Sequence, residues 1–302
     1  LEKILSLYKI QGMRSLLIIC FIFSILTFKA QDLPAYQLYN SKGKKVSFDQ
    51  MSKSANNSQL VLFGEFHNNP ISHWLQFELT QRMHAAHQNN LQLGFEMFEQ
   101  DQQELLTQYL QGVIPAEKLN DTLRLWPNYQ TDYAPLVDFA KANNLSCIAS
   151  NIQRKYASLL FKKGRQALDT LPESIKQQMA PLNFAFDTTL SQYQDMKQMG
   201  AHMGPGMGWR MVEAQAIKDA TMAYFILHNP WRTARTVHLH FNGAYHSDYF
   251  QGIMWYVRRE APDMKILTIS TVSQDDILKL EKENLGKADY IICVPTHMTT
   301  TH

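Results

Sequence analysis

The sequence predicts an α/β fold of three layers, in which a largely parallel six-stranded sheet carries helices on both faces and an irregular Met/Gly-rich lid segment lies to one side. Two observations carry this expectation. Apolar runs recur at 60–63, 91–98, 145–150, 236–241, 265–270 and 289–295, and helical patterns separate most of them. Strands joined through helices run parallel, and a parallel sheet is covered on both sides, which suits strands that are apolar almost throughout. With 302 residues, 45% hydrophobic and 19% charged, the chain is long enough for one large core or two modest ones.

Charge excludes some functions. The net value of +2 comes without a Lys/Arg cluster or an acidic tail, so no nucleic-acid partner is expected. The cysteines Cys20, Cys147 and Cys293 lie far apart, which indicates neither a zinc knuckle nor a disulfide framework. At the N-terminus, Met13-Arg14 precedes a short apolar run at 15–28, the pattern of a secretory signal. Residues 1–30 are therefore read as a signal peptide, with 1–12 as an upstream extension and cleavage near Ala30 or Gln31; an uncleaved anchor is the alternative. Ile19 before Cys20 argues against a lipid-modified cysteine. An exported, periplasmic or surface-associated protein follows, with residues 31–302 as a single domain and 152–210 as a helical and lid insertion.

In chain order, a polar segment at 31–57 leads to the first strand at 60–63. Pro70 then opens a helix, where its missing N–H is no loss. Ile71, Trp74, Leu75, Leu79, Met83 and Ala86 form the apolar stripe of that helix, which leaves His73, Gln76, His84 and His87 off it. The run 91–98 alternates as a strand and carries Glu96. A helix over 102–111 stops at Gly112, and an aromatic loop from Trp126 to Tyr133 precedes an amphipathic helix over 134–143. After the strand at 145–150, Asn151 sits at the sheet edge. A helical stretch from 152 to about 182 is broken once, at Pro172. The segment 195–208 holds four glycines, a proline and four methionines, a composition that disfavours a long helix and offers an adaptable apolar surface. A strong helix over 209–228 leads to the strand at 236–241.

Because parallel strands finish on one edge, Glu65, His67, Glu96, Asn151 and His246 are expected to share a cleft at their C-terminal ends. Two carboxylates and two imidazoles there suit a divalent metal such as zinc, manganese or iron, or general acid–base work without one. A polar network that merely ties the strand ends together is the structural alternative.

Gly64-Glu65-Phe66-His67, Glu96-Met97-Phe98, Gln102, Trp126, Tyr133, Asn151, Gln215 with Asp219 and Met222, and the second Gly-x-x-His ending at His246 resemble the ChaN-like haem-binding uptake proteins of the Tiki superfamily. Order and approximate spacing agree from about residue 58 to residue 295; Asn68 departs from the aspartate usual in the family. The resemblance implies an exported protein that binds haem for iron uptake, with a tyrosine on the iron, a homodimer of facing subunits, and outer-membrane uptake machinery as a possible partner. It also implies kinship with metal-dependent proteases and esterases, for which Glu65, His67, Glu96 and His246 are the catalytic and metal-ligand candidates. Candidates for contact with the haem are Tyr245, Tyr249, His202, Met203 and Met207. Haem binding is the leading expectation and a metal-dependent esterase or peptidase its rival.

Overall fold

The structure, a computed structural model, describes residues 33–302. The signal-peptide reading and Cys20 lie outside the described residues. The chain forms β1 (Gln37–Asn40), α1 (Phe48–Asn56), β2 (Leu60–Glu65), α2 (Pro70–His87), β3 (Leu91–Glu99), α3 (Gln103–Leu110), α4 (Ala134–Ala142), β4 (Ser146–Asn151), α5 (Arg154–Lys163), α6 (Ser191–Ala201), α7 (Met207–His228), β5 (Val237–Gly243), α8 (Ile253–Glu260), β6 (Ile266–Gln274) and β7 (Tyr290–Pro295). One sheet holds the strands in the order β1-β7-β6-β2-β5-β3-β4. Its pairs are parallel except β1 with β7, which is antiparallel.

The expected architecture is therefore present, with seven strands rather than six. The additional strand, β1, is a four-residue edge piece in which Leu38 and Tyr39 are buried between half-buried Gln37 and Asn40. It is too short and too polar to show as an apolar run. At the sheet centre, β2 is buried on both faces and alternates between them. Val61 and Phe63 join a core with Leu75, Leu79 and Met83 of α2, whereas Leu60 and Leu62 join Met222 and Ile226 of α7 and Ile253 and Val257 of α8. The start of α2 is fixed as expected: Pro70 occupies its first turn and the Asn69 side chain accepts the Ser72 N–H at 2.9 Å.

Between β4 and β5 the chain builds a second core from Leu160, Leu168, Tyr193, Val212, Ala216 and Ile217 among others. Two expectations change here. The stretch from 152 is not one helix broken at Pro172: α5 ends at Gly164, which has φ of +84°, and only short helical turns follow, Gln166–Asp169 and Glu173–Lys176. Nor is the Met/Gly-rich segment an irregular lid, because α6 and α7 extend into it from both sides and leave only residues 202–206 as a turn. Its glycines serve close packing between the two helices. A Cβ on Gly200 would lie 2.8 Å from the Cα of Gly208. Among the described residues, no helix is long and apolar enough to cross a membrane.

Candidate acid–imidazole site and adjoining groove

Glu65 ends β2 at the sheet's C-terminal edge, and only 1% of it is exposed. Its carboxylate accepts the Tyr133 hydroxyl at 2.6 Å, His67 Nδ1 at 2.9 Å and the Gln76 side-chain amide. Burial alone would raise its pKa. The hydrogen bond from His67 and the nearby charges of His73 and His67 outweigh that and hold the carboxyl below its usual range. His67 responds in the opposite sense: burial lowers its pKa, but the bond to Glu65 and the charge of Glu96 raise it on balance. The ring stands edge-on to Trp126 at a centroid distance of 4.8 Å, and its side chain is 39% exposed. The main chain beneath is held as well, since the His67 carbonyl accepts from Asn128 Nδ2 at 2.5 Å and from His73 Nε2 at 3.1 Å.

The second group forms where β3, β5 and α7 meet. Glu96 Oε2 accepts the Gly243 N–H at 2.7 Å, and its Oε1 lies 3.2 Å from His246 Nε2. The other ring nitrogen, Nδ1, donates to Asp219 Oδ1 at 2.5 Å, and Asp219 also accepts the Tyr193 hydroxyl at 2.8 Å. Burial would lower the pKa of His246. The charges of Glu96 and Asp219 reverse this and push it up to about 10, so the ring is an imidazolium at neutral pH. Glu96 is correspondingly held far below the usual carboxylate range, mainly by His246 acting against burial. Asp219 stays above its ordinary value because burial prevails there.

Gly243 joins the two groups. A Cβ at this position would lie 2.9 Å from both Cε1 and Nε2 of His67 and 3.6 Å from Glu96 Oε2. Hence the second Gly-x-x-His has a steric reason: its glycine gives room to the first motif's imidazole, and its histidine reaches back to Glu96. Glu65, His67, Glu96 and His246 come together at one edge as expected, and Asn151 braces them through a 3.1 Å bond to the Glu96 carbonyl. Sequence reasoning missed the pairing of Asp219 with His246 and the role of Asn128 with Asp132 beneath His67. Gln76, off the apolar stripe of α2, is fully buried nonetheless, and its amide serves Glu65. Among the described residues, no group of three or more His, Cys, Asp or Glu is placed to hold a metal ion. The donors face one another instead: His246 is spent on two carboxylates and His67 Nδ1 on Glu65.

The family described as haem-binding uptake, Tiki superfamily, ChaN, matches residues 51–257, which include both Gly-x-x-His motifs, Glu96 and Asp219. The chain belongs to the ChaN family. The solved structure of cofacial haem binding to ChaN of Campylobacter jejuni superimposes with a TM-score of 0.65 at 18% identity, covering 87% of this chain and 98% of that one. The type III effector HopBA1 gives a TM-score of 0.46 at 12% identity, covering 89% and 100% of the two chains. An erythromycin esterase, EreC, in its open conformation gives 0.47 at 10%, covering 86% and 97%. No curated protein matches the sequence significantly.

A groove of about 420 Å³ runs over α5, α6 and α7, with Phe161, Met196, Met203 and Met211 supplying apolar surface and Arg154 and Lys218 supplying charge. Gln215 belongs to this groove and also lies 3.0 Å from His246 Nδ1, so the groove adjoins the acid–imidazole site. Of the five sequence candidates, Met203 alone is in the groove wall. Tyr245 donates to the Gln192 carbonyl at 2.5 Å, and burial pushes its hydroxyl up to about 12. Tyr249 donates to the Glu283 carbonyl at 3.3 Å, His202 is exposed in the turn after α6, and Met207 opens α7. An apolar slot flanked by two cations matches a flat ring that carries two carboxylates.

Proposed function

We propose that this protein binds haem in the groove over α5, α6 and α7 and serves haem and iron uptake as an exported protein. The observation that carries the reading is the groove's make-up: methionine and phenylalanine surface with Arg154 and Lys218, and no carboxylate among its lining residues. That surface suits an apolar, anionic ligand and repels a hard cation. Family membership supports haem as that ligand. The signal-like N-terminus supports export. A homodimer of facing subunits and a handover to outer-membrane uptake machinery follow from the family resemblance and belong to the same proposal. Bound haem would supply the iron and its redox chemistry; the chain would supply the slot and the paired cations. Hemin titrated into purified protein is expected to give a shifted, saturable Soret band. A spectrum no different from hemin with an inert protein would remove the reading.

A second reading, hydrolysis of an ester or peptide bond, is favoured by His67. Its Nδ1 is fixed by Glu65, while Nε2 has no protein hydrogen-bond partner among the described residues and lies on a partly exposed ring. Such a nitrogen is placed to take a proton from an attacking water, with Glu65 orienting the ring and His246 a nearby permanent cation. Glu65 itself is too enclosed to meet a substrate. If the reading holds, a panel of esters and peptides contains a compound that is turned over, and His67→Gln lowers that turnover by about 100-fold or more. Equal turnover in the variant rules the role out.

A further inference from the structure

We infer that the face built by α5 and the turn between α6 and α7 docks on an anionic phospholipid surface, with lysines at the headgroup phosphates and Met199 and Met203 dipping beneath them. The inference stands apart from the haem reading and needs no ligand in the groove.

It starts from charge. No Lys/Arg cluster stands out along the chain, but folding makes one. Residues 154–165 hold Arg154, Lys155, Lys162, Lys163 and Arg165 and no acid. Arg165 is engaged: it donates to the Phe184 carbonyl at 3.0 Å and lies 3.8 Å from Glu213. The other four are exposed. Lys155 and Lys162, seven positions apart, share the side of α5 opposite Ala157 and Leu160, which pack into the second core. Arg210 of α7 joins them, because its guanidinium reaches the Lys162 carbonyl at 2.8 Å.

Acids on the neighbouring elements leave this charge standing. Glu99, beside the start of α5, accepts the Arg154 N–H and the Arg124 guanidinium, each at 2.8 Å. Glu213 stands at Arg165, and the charge of Asp195 on α6 acts on Tyr245 and Tyr249.

The other half of the face is apolar. Met199 and Met203 are 64% and 57% exposed, four positions apart near the end of α6 and in the turn after it. Arg154 and Phe161 of α5 line one groove with Met203, so the cationic ridge and the exposed methionines stand on its two sides. A soluble polyanion would use the cations alone. Lysines beside protruding thioether chains fit a bilayer interface, where ammonium groups meet phosphate and apolar side chains enter the boundary between headgroups and acyl chains.

The test is co-sedimentation of the chain with vesicles of phosphatidylcholine alone and of phosphatidylcholine mixed equally with phosphatidylglycerol. The wild-type chain should bind the anionic vesicles, leave them as salt is raised, and bind the neutral ones far more weakly. Lys155→Gln/Lys162→Gln/Lys163→Gln should lose roughly 100-fold in affinity, about fivefold for each cation. Met199→Ser should lose about fivefold at low and high salt alike, because salt does not screen the apolar part. None of these four residues lines the groove, so a hemin titration reports on the haem reading independently of the vesicle result. Equal wild-type affinity for the two vesicles would overturn the proposal, as would a triple variant that binds the anionic vesicles as tightly as the wild type. Binding to heparin without binding to vesicles would also overturn it, by assigning the cations to a soluble polyanion.

Discussion

Replacing His246 by alanine is expected to destabilise the fold by about 3–5 kcal/mol, the usual consequence of stranding a buried charge. The imidazolium stands between Glu96, at 3.2 Å, and Asp219, at 2.5 Å, and both acids are buried. Without it, two carboxylates face each other across an apolar interior, with Gly243 N–H and the Tyr193 hydroxyl as their remaining donors among the described contacts. The cost should appear in chemical denaturation as a lower midpoint. Adding Asp219→Asn to His246→Ala should recover part of it, because one of the opposed charges is then gone. A loss below about 1 kcal/mol in the single variant would mean that the cluster is hydrated rather than buried.

Acid should weaken the fold as the buried histidines of β5 are driven to take protons. His238 and His240 lie on β5, fully buried, their rings stacked at 6.0 Å. Burial lowers the pKa of both, that of His240 to about 4, against weaker support from Asn242 and the charges of Glu96 and Glu65. Burial keeps His240 neutral although it hydrogen-bonds Ser150 Oγ at 2.8 Å and Asn242 Oδ1 at 3.2 Å; His238 Nδ1 meets Gln92 at 2.9 Å, and its Nε2 has no partner among the described residues. Native rings stay neutral where unfolded ones, with a pKa of about 6.5, take protons. The stability they support is therefore complete above 6.5 and lost as pH falls toward 4, by about 3 kcal/mol for His240 alone. His246 has the opposite sign. Its folded pKa is raised, so its contribution is complete below 6.5 and fades as pH climbs toward about 10. Thermal unfolding followed from pH 4.5 to 10 should peak near neutrality and fall on both sides. A melting temperature that does not change between 6.5 and 4.5 would contradict neutral burial of the β5 histidines.

What could be read from the sequence follows from how each element is buried. The central strands are covered on both faces and so appear as continuous apolar runs; Val61 and Phe63 point one way, Leu60 and Leu62 the other, and all four are apolar. The edge strand β1 has only Leu38 and Tyr39 to bury and left no such trace. Glu65, His67, Glu96 and His246 were visible because each follows an apolar run onto the same sheet edge. Asp219 was harder: it sits within α7, and only its contact with a histidine 27 positions later explains a carboxylate there. Gln76 lies off the apolar stripe of α2, yet it is buried, and its amide serves Glu65. In the Met/Gly-rich segment, local propensity pointed to irregular backbone. Tertiary contact overrode it, because glycine is what lets α6 and α7 touch.

The central claim, that haem occupies the groove over α5, α6 and α7, meets its most direct test in hemin titrations of the wild-type chain beside an Arg154→Glu/Lys218→Glu variant. Arg154 is exposed and Lys218 half-buried, both at the groove wall and away from the acid–imidazole contacts, so charge reversal should leave the melting temperature close to that of the wild type. The account predicts saturable binding by the wild-type chain and an affinity lower by about tenfold or more in the variant. Equal affinity in the two proteins would place the haem elsewhere and contradict it.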